Sequence, residues 1–238
     1  MQYIYGPVDS KRLGASLGVS ITPFKYCQID CVYCQLKKTT NFTLVRKPYI
    51  KIKDVLFELE QFFKNNPGKR VDYVTISGSG EPLLNSKIKD LISGIRKITR
   101  TPIALITNSI LLIDPKVRNE ILDVDLILPS LDAYTQDVFD KICRPMDSHI
   151  KVKDLIDALV KLRKEFRGKI WLEIMLVKGV NDDLEYLRKF KKIVDKINSD
   201  IIQLNTPRRQ PAEPWVKIPP SVKLKKIKSI FGDRSELI

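Results

Sequence analysis

Along the chain, short apolar runs rich in β-branched residues alternate with longer stretches in which apolar positions recur every three or four residues. The first strand is predicted at Ser16 to Ile21. The stretch IKIKDVLFELEQFFKNN then repeats Ile52, Val55, Leu56, Leu59, Phe62 and Phe63 at helical spacing and stops at Pro67 and Gly68. VDYVTIS, from Val71 to Ser77, reads as a buried strand. A helix over about 86–98, the strand IALIT from Ile103, a short helix opened by Asp114 and Pro115 in cap-then-proline order, and the strand VDLILPSLD follow. Helices over about 135–142 and 151–166 lead to the strand IWLEIMLV from Ile170. DLEYLRKFKKIVDKIN repeats Leu184, Leu187, Phe190, Ile193, Val194 and Ile197, and IIQLN from Ile201 makes a sixth strand.

Strand then helix, six times over, predicts an α/β fold with parallel strands joined by right-handed crossovers. A partial (β/α)6 barrel, an incomplete relative of the eight-unit barrel, fits 238 residues better than eight units do. A doubly wound open sheet has the same alternation, so periodicity alone leaves both architectures standing. Either one gathers chemistry at the carboxyl ends of the strands. The expected organisation is a barrel over 1–205 and a basic, proline-rich C-terminal extension with a short helix over 206–238. No apolar run approaches the roughly 20 residues that span a bilayer. The opening residues lack an apolar stretch with a cleavage site, and the four cysteines are not spread as a disulfide framework. A cytoplasmic protein with no membrane partner is the expectation.

Charge changes this picture by adding a partner class. The net charge is +14, and it is concentrated: Gln35 to Lys53 holds six Lys or Arg and no acid, and Thr206 to Ile238 holds eight against three. Such clusters suit phosphate backbones, and tRNA is one polyanion they would attract. The competing reading is a lysine-rich surface that keeps the chain soluble.

The candidate chemistry begins in PFKYCQIDCVYCQLK, where Cys27, Cys31 and Cys34 form C-x3-C-x2-C at the end of the first predicted strand. A closed zinc site or an ordinary electron-carrying cluster takes four protein ligands, so three thiols either borrow a distant partner or leave one metal position open. The candidates for a fourth donor are Cys143 and the single histidine, His149. Cys143 reads more readily as a small buried hydrophobe, and His149 as a surface or capping residue. Further on, Gly78, Ser79, Gly80 and Glu81 end the second strand of the alternation, where small residues let a ligand approach the backbone. Asn108, Ser130 and Asp132 end the third and fourth. In the fifth, Trp171, Glu173, Met175 and Val177 share one face. A lone glutamate there is costly unless it is paired or faces the barrel lumen. Gln203 and Asn205 share a face of the sixth. Lys178, Arg208 and Arg209 lie on loops that suit an anionic group.

The triplet, with Tyr33 just before its last cysteine, resembles the signature of the radical SAM superfamily. SGSGEPLL from Ser77 is similar to that superfamily's Gly-Gly-Glu-Pro motif, ITNS from Ile106 to its Thr-Asn-Gly, and SLDA from Ser130 to its fourth-strand pattern. The resemblance implies a [4Fe-4S] cluster held by Cys27, Cys31 and Cys34, with the open iron chelated by S-adenosylmethionine (SAM). One electron then cleaves SAM to a 5'-deoxyadenosyl radical that takes hydrogen from a substrate. It also implies an electron donor such as flavodoxin or ferredoxin. By the same resemblance, the backbone over 78–80 and the Glu81 carboxylate receive the SAM ammonium and Tyr33 lies near the adenine; backbone of the sixth strand, at Asn205, is placed to bracket that adenine. Asn108, Ser130 and Asp132 take the carboxylate and ribose, and Glu173 faces sulfonium or substrate as a catalytic group.

The opening 32 residues after Ile4, with MLVKGVND and NTPRRQP, resemble compact proteins classed alongside the tRNA wyosine-base synthases. Those synthases carry further N-terminal cysteines for a second cluster, and this chain has none before Cys27. A single-cluster enzyme acting on RNA is therefore the leading expectation. A glycyl-radical-enzyme activase or peptide-modifying enzyme is the second, and a non-catalytic iron-sulfur or RNA-binding accessory protein the third.

Overall fold

A computed structural model describes all 238 residues. The six predicted strands are β2 (Gly14–Ser20), β5 (Tyr73–Ser77), β6 (Ile103–Thr107), β7 (Leu126–Pro129), β8 (Lys169–Met175) and β9 (Ile201–Asn205). They lie side by side in chain order, every neighbouring pair parallel. Two strands that periodicity does not predict complete the sheet. β1 (Ile4–Ser10) pairs antiparallel with β2, and β10 (Ser235–Leu237) pairs parallel with β9, so the two edges never meet and the barrel stays partial. A two-residue pair, β3 (Tyr26–Cys27) and β4 (Asn41–Phe42), ties the cysteine loop to the basic stretch after it.

The helices are α1 (Ile52–Asn65), α2 (Ile88–Ile98), α3 (Pro115–Glu120), α4 (Gln136–Cys143), α5 (Val152–Glu165), α6 (Leu184–Ile197) and α7 (Ser221–Phe231). Their starts follow side-chain chemistry. Asp114 accepts from the Lys116 N–H at 2.8 Å with Pro115 in the first helical position, and Asp183 accepts from the Tyr186 N–H at 2.8 Å. α6 ends on Asn198 in the left-handed conformation, a residue type that tolerates it. The apolar stripes of these helices bury onto the outer face of the sheet in a single large core that includes Leu59, Ile92, Leu159 and Phe190. Inside the curve, Leu13, Ala104, Leu126 and Leu128 fill the floor of the lumen. The lumen above them is polar, because the inward positions of β8 and β9 are Glu173, Gln203 and Asn205. α7 and β10 close the far edge, with Phe231 meeting Phe190 of α6 edge to face at 6.4 Å. No helix is long and apolar enough to cross a membrane.

Candidate functional site

The cysteine loop leaves β2 and is pinned from both sides. On one side, the Lys25 N–H donates to the Ser79 carbonyl at 2.6 Å and the Glu81 N–H to the Tyr26 carbonyl at 3.0 Å, clipping it to the SGSGE turn after β5. On the other, the Asp30 and Val32 N–H groups donate to the Cys143 and Ile142 carbonyls, both at 2.9 Å, and the Met146 N–H donates to the Gln28 carbonyl at 2.9 Å. The end of α4 is thus the scaffold of the loop. These clips use backbone groups that a loop would otherwise expose, and they fix where the thiols point.

Each thiol has a different neighbour. Asn108 donates from Nδ2 to Cys27 Sγ at 3.3 Å and to Gln28 Oε1 at 2.9 Å, Lys25 donates from Nζ to Cys34 Sγ at 3.3 Å, and the Cys143 thiol lies against Cys31. Burial pushes the Cys27 thiol up to about 12, with the Glu81 and Cys31 charges adding to it. Metal binding at that sulfur must therefore displace a proton. No three thiol, imidazole or carboxylate groups converge closely enough to hold a single metal ion. The set fits an anchor of three separate sulfurs, each able to take its own iron, and does not fit one tetrahedral zinc.

Cys143 is buried, with Sγ 3.9 Å from Asp132 Oδ2, and its contact to Cys31 together with burial holds its thiol well above the usual range. His149 is at the surface, its side chain 91% exposed and bonded to Asp147.

The strand ends place the remaining residues around this loop. Gly78 has φ +127°, and a Cβ there would sit 2.5 Å from Ser20 Oγ, so only glycine lets the turn fold tightly over β2. Glu81 is buried and its carboxylate accepts three hydrogen bonds: from the Leu83 N–H at 3.1 Å, Thr107 Oγ1 at 2.7 Å and the Asn108 N–H at 2.8 Å. Burial outweighs these bonds and pushes its pKa up to about 7. Glu81 therefore joins the ends of β5 and β6. Ser109, where the family motif has glycine, adopts the left-handed conformation and donates from Oγ to the Ser130 carbonyl at 2.9 Å.

Asp132 lies beyond the end of β7 and accepts from Tyr33 Oη at 2.5 Å and from the Met175 N–H at 2.7 Å. Burial raises its pKa to about 7 against those bonds, and burial also holds the Tyr33 phenol well above its usual range. Glu173 faces the lumen as its strand position predicts, and it is also paired, with Arg12 from the turn between β1 and β2. Beside it in register, Gln203 is buried with both amide atoms unpartnered, and Asn205 ends β9 one step higher. Lys25, Arg12 and Gln28 are the site residues that sequence reasoning misses. A lysine or arginine beside a motif has no signal that separates it from a solvated charge.

Comparison with known proteins adds the following. The family model described as radical SAM superfamily matches residues 21–190. The chain is 39% identical over 96% of its length to a Brachyspira hyodysenteriae protein named GTPase Obg, of which it spans only 33%. It is 32% identical over 98% of its length to a UPF0026 protein of Methanocaldococcus jannaschii, spanning 72% of that protein. Among solved structures, TYW1 with a lysine-pyruvate adduct bound superposes with a TM-score of 0.66 at 19% identity, over 92% of this chain and 74% of that one.

Proposed function

The chain belongs to the radical SAM superfamily, and from that premise we propose that it is an RNA-modifying member acting on tRNA. As a member it is an iron-sulfur enzyme whose cofactors are a [4Fe-4S] cluster and SAM. When held by Cys27, Cys31 and Cys34, the cluster would supply the one-electron chemistry for reductive cleavage of SAM, the family's source of a hydrogen-abstracting radical.

In this reading Cys27, Cys31 and Cys34 anchor the cluster. The backbone of Gly78, Ser79 and Gly80 receives the SAM ammonium, and Glu81 keeps that turn aligned with Asn108. Asn108, Ser130 and Asp132 face the carboxylate and ribose, and Tyr33 and Asn205 line the adenine. Glu173 presents a carboxylate to the lumen. What supports these roles is that the ends of β5, β6 and β7 all touch the pinned cysteine loop, through Ser79 and Glu81, through Asn108 on Cys27, and through Asp132 on Tyr33. A low-potential donor such as flavodoxin or ferredoxin is the proposed electron source.

The observation that carries the RNA assignment is the meeting of two basic segments far apart in sequence. Arg209 donates to Gln35 Oε1 at 2.6 Å, Lys37 Nζ donates to the Pro211 carbonyl at 3.4 Å, and the Glu213 N–H donates to the Val32 carbonyl at 3.0 Å. Lys37, Lys38, Arg208 and Arg209 are thereby exposed around the outer rim of the cysteine loop, and Phe24 and Trp215, 60% and 41% exposed, offer stacking surfaces. The test is anaerobic reconstitution followed by 5'-deoxyadenosine release from SAM with and without total tRNA. Stimulation by tRNA, with binding that weakens steeply as salt rises, is expected. Cleavage indifferent to tRNA together with salt-insensitive binding would overturn the assignment.

A further inference from the structure

Lys25 is buried, the whole residue at 3% exposure, yet none of the ion pairs in the protein includes it. Its one hydrogen bond from Nζ goes to Cys34 Sγ at 3.3 Å. A buried ammonium without an anion is costly, so a partner of opposite charge belongs beside it. The backbone is committed to this placement. Lys25 stands in the left-handed conformation at φ +59°, strained for a residue with a side chain. Its N–H is tied to Ser79 and its carbonyl to the Asn41 N–H at 3.1 Å, which fixes the backbone from which the side chain reaches Cys34.

We infer that Lys25 is a positioning residue for the cluster: its ammonium donates to the Cys34 thiolate, supplies the missing counter-charge, and makes the cluster easier to reduce. This rests on the three cysteines holding that cluster and is independent of the RNA assignment. Three thiolates leave an oxidised cube with net negative charge, and the added electron deepens it, so a fixed cation nearby favours the reduced state. The other two thiols have neutral hydrogen-bond partners, the Asn108 amide at Cys27 and the Cys143 thiol at Cys31. Charge-assisted hydrogen bonds are roughly twice as strong as neutral ones, so Cys34 is where this chain exerts its largest influence on the potential.

The test is a redox titration, followed by electron paramagnetic resonance, of the full chain reconstituted with iron and sulfide in the absence of SAM. Lys25→Met is expected to keep the iron and sulfide content of the wild type. Its equilibrium constant for one-electron reduction should fall at least tenfold, a midpoint potential about 59 mV more negative. Lys25→Gln, which keeps a donor without the charge, should move the same way. Loss of the cluster from Cys27→Ala sets the level at which cluster binding itself has failed, so that failure is distinguishable from an unchanged potential. An unchanged potential overturns the inference. An unchanged potential with weakened SAM binding overturns it too and assigns the ammonium to the SAM carboxylate. Should neither variant hold a cluster, wild-type protein grown on ¹⁵N-lysine decides: a single ¹⁵N coupling on the reduced-cluster signal is expected, and its absence refutes the contact.

Discussion

Replacing Glu81 by glutamine tests whether a buried carboxyl, and not a surface one, joins the second and third strands of the alternation. Burial raises the Glu81 pKa from an ordinary 4.5 to about 7. At about 1.4 kcal/mol per tenfold change in proton affinity, that rise is worth about 3 kcal/mol. The sign follows from the direction. The folded state holds the proton more tightly than the unfolded chain, so the contribution is fully present below about pH 4.5 and is lost as pH rises through about 7. About 2.5 kcal/mol of the loss falls between pH 5 and pH 8. Glu81→Gln cannot ionise and lacks this dependence. It also turns one acceptor into a donor facing the Thr107 hydroxyl or the Leu83 and Asn108 N–H groups, at a fixed cost of roughly 1 kcal/mol. About 0.8 kcal/mol is already lost at pH 5, so the two proteins are nearly equal in stability there, and the variant is the more stable by roughly 2 kcal/mol at pH 8. Urea unfolding of both proteins, metal-free and under reducing anoxic conditions, reads the difference directly. Asp132, whose pKa burial also raises to about 7, contributes equally to both and cancels. A stability difference that stays constant from pH 5 to pH 8 would refute the placement of a strongly raised carboxyl at the end of β5.

Three further outcomes follow from the same geometry. Cys27→Ala, Cys31→Ala and Cys34→Ala each abolish the visible iron-sulfur absorption after reconstitution, whereas Cys143→Ala retains the wild-type iron stoichiometry, as measured by elemental analysis. Arg12→Met strands Glu173 in a lumen where its side chain is only 13% exposed. We expect a loss of about 2 kcal/mol in urea unfolding, largely restored when Glu173→Leu is added, because the second change removes the stranded charge. Gly78→Ala places a Cβ against Ser20 at φ +127° and should cost more than about 1 kcal/mol of stability. Equilibrium dialysis should also show at least a tenfold weaker SAM affinity, about 1.4 kcal/mol.

The alternation of β-rich and helical periods makes six strands and most of the helices legible from the residues alone, because each buries one face against the other layer. β1 and β10 escape for physical reasons. β1 is an edge strand with only Ile4 buried, so it has no alternation to detect, and its position comes from hairpin pairing with β2. β10 has three residues, too few for any period, and is held by its register with β9 after α7 has turned the chain back.

The site divides along the same line. Cysteine spacing is local and is visible, as are the polar residues at strand ends. The donors that distinguish the three sulfurs are not local: Lys25 lies nine residues from Cys34, Asn108 lies 81 from Cys27, and Cys143 arrives on the end of a helix that also clips the loop backbone. Three chemically identical side chains therefore occupy three unlike electrostatic positions. On the assignment proposed above, spacing gathers the three thiols that hold iron, while the fold supplies the donors that set how readily it is reduced. The cysteines are accordingly equivalent in a test of iron binding and inequivalent in a test of potential, with Cys34 set apart by the only cation among the three donors.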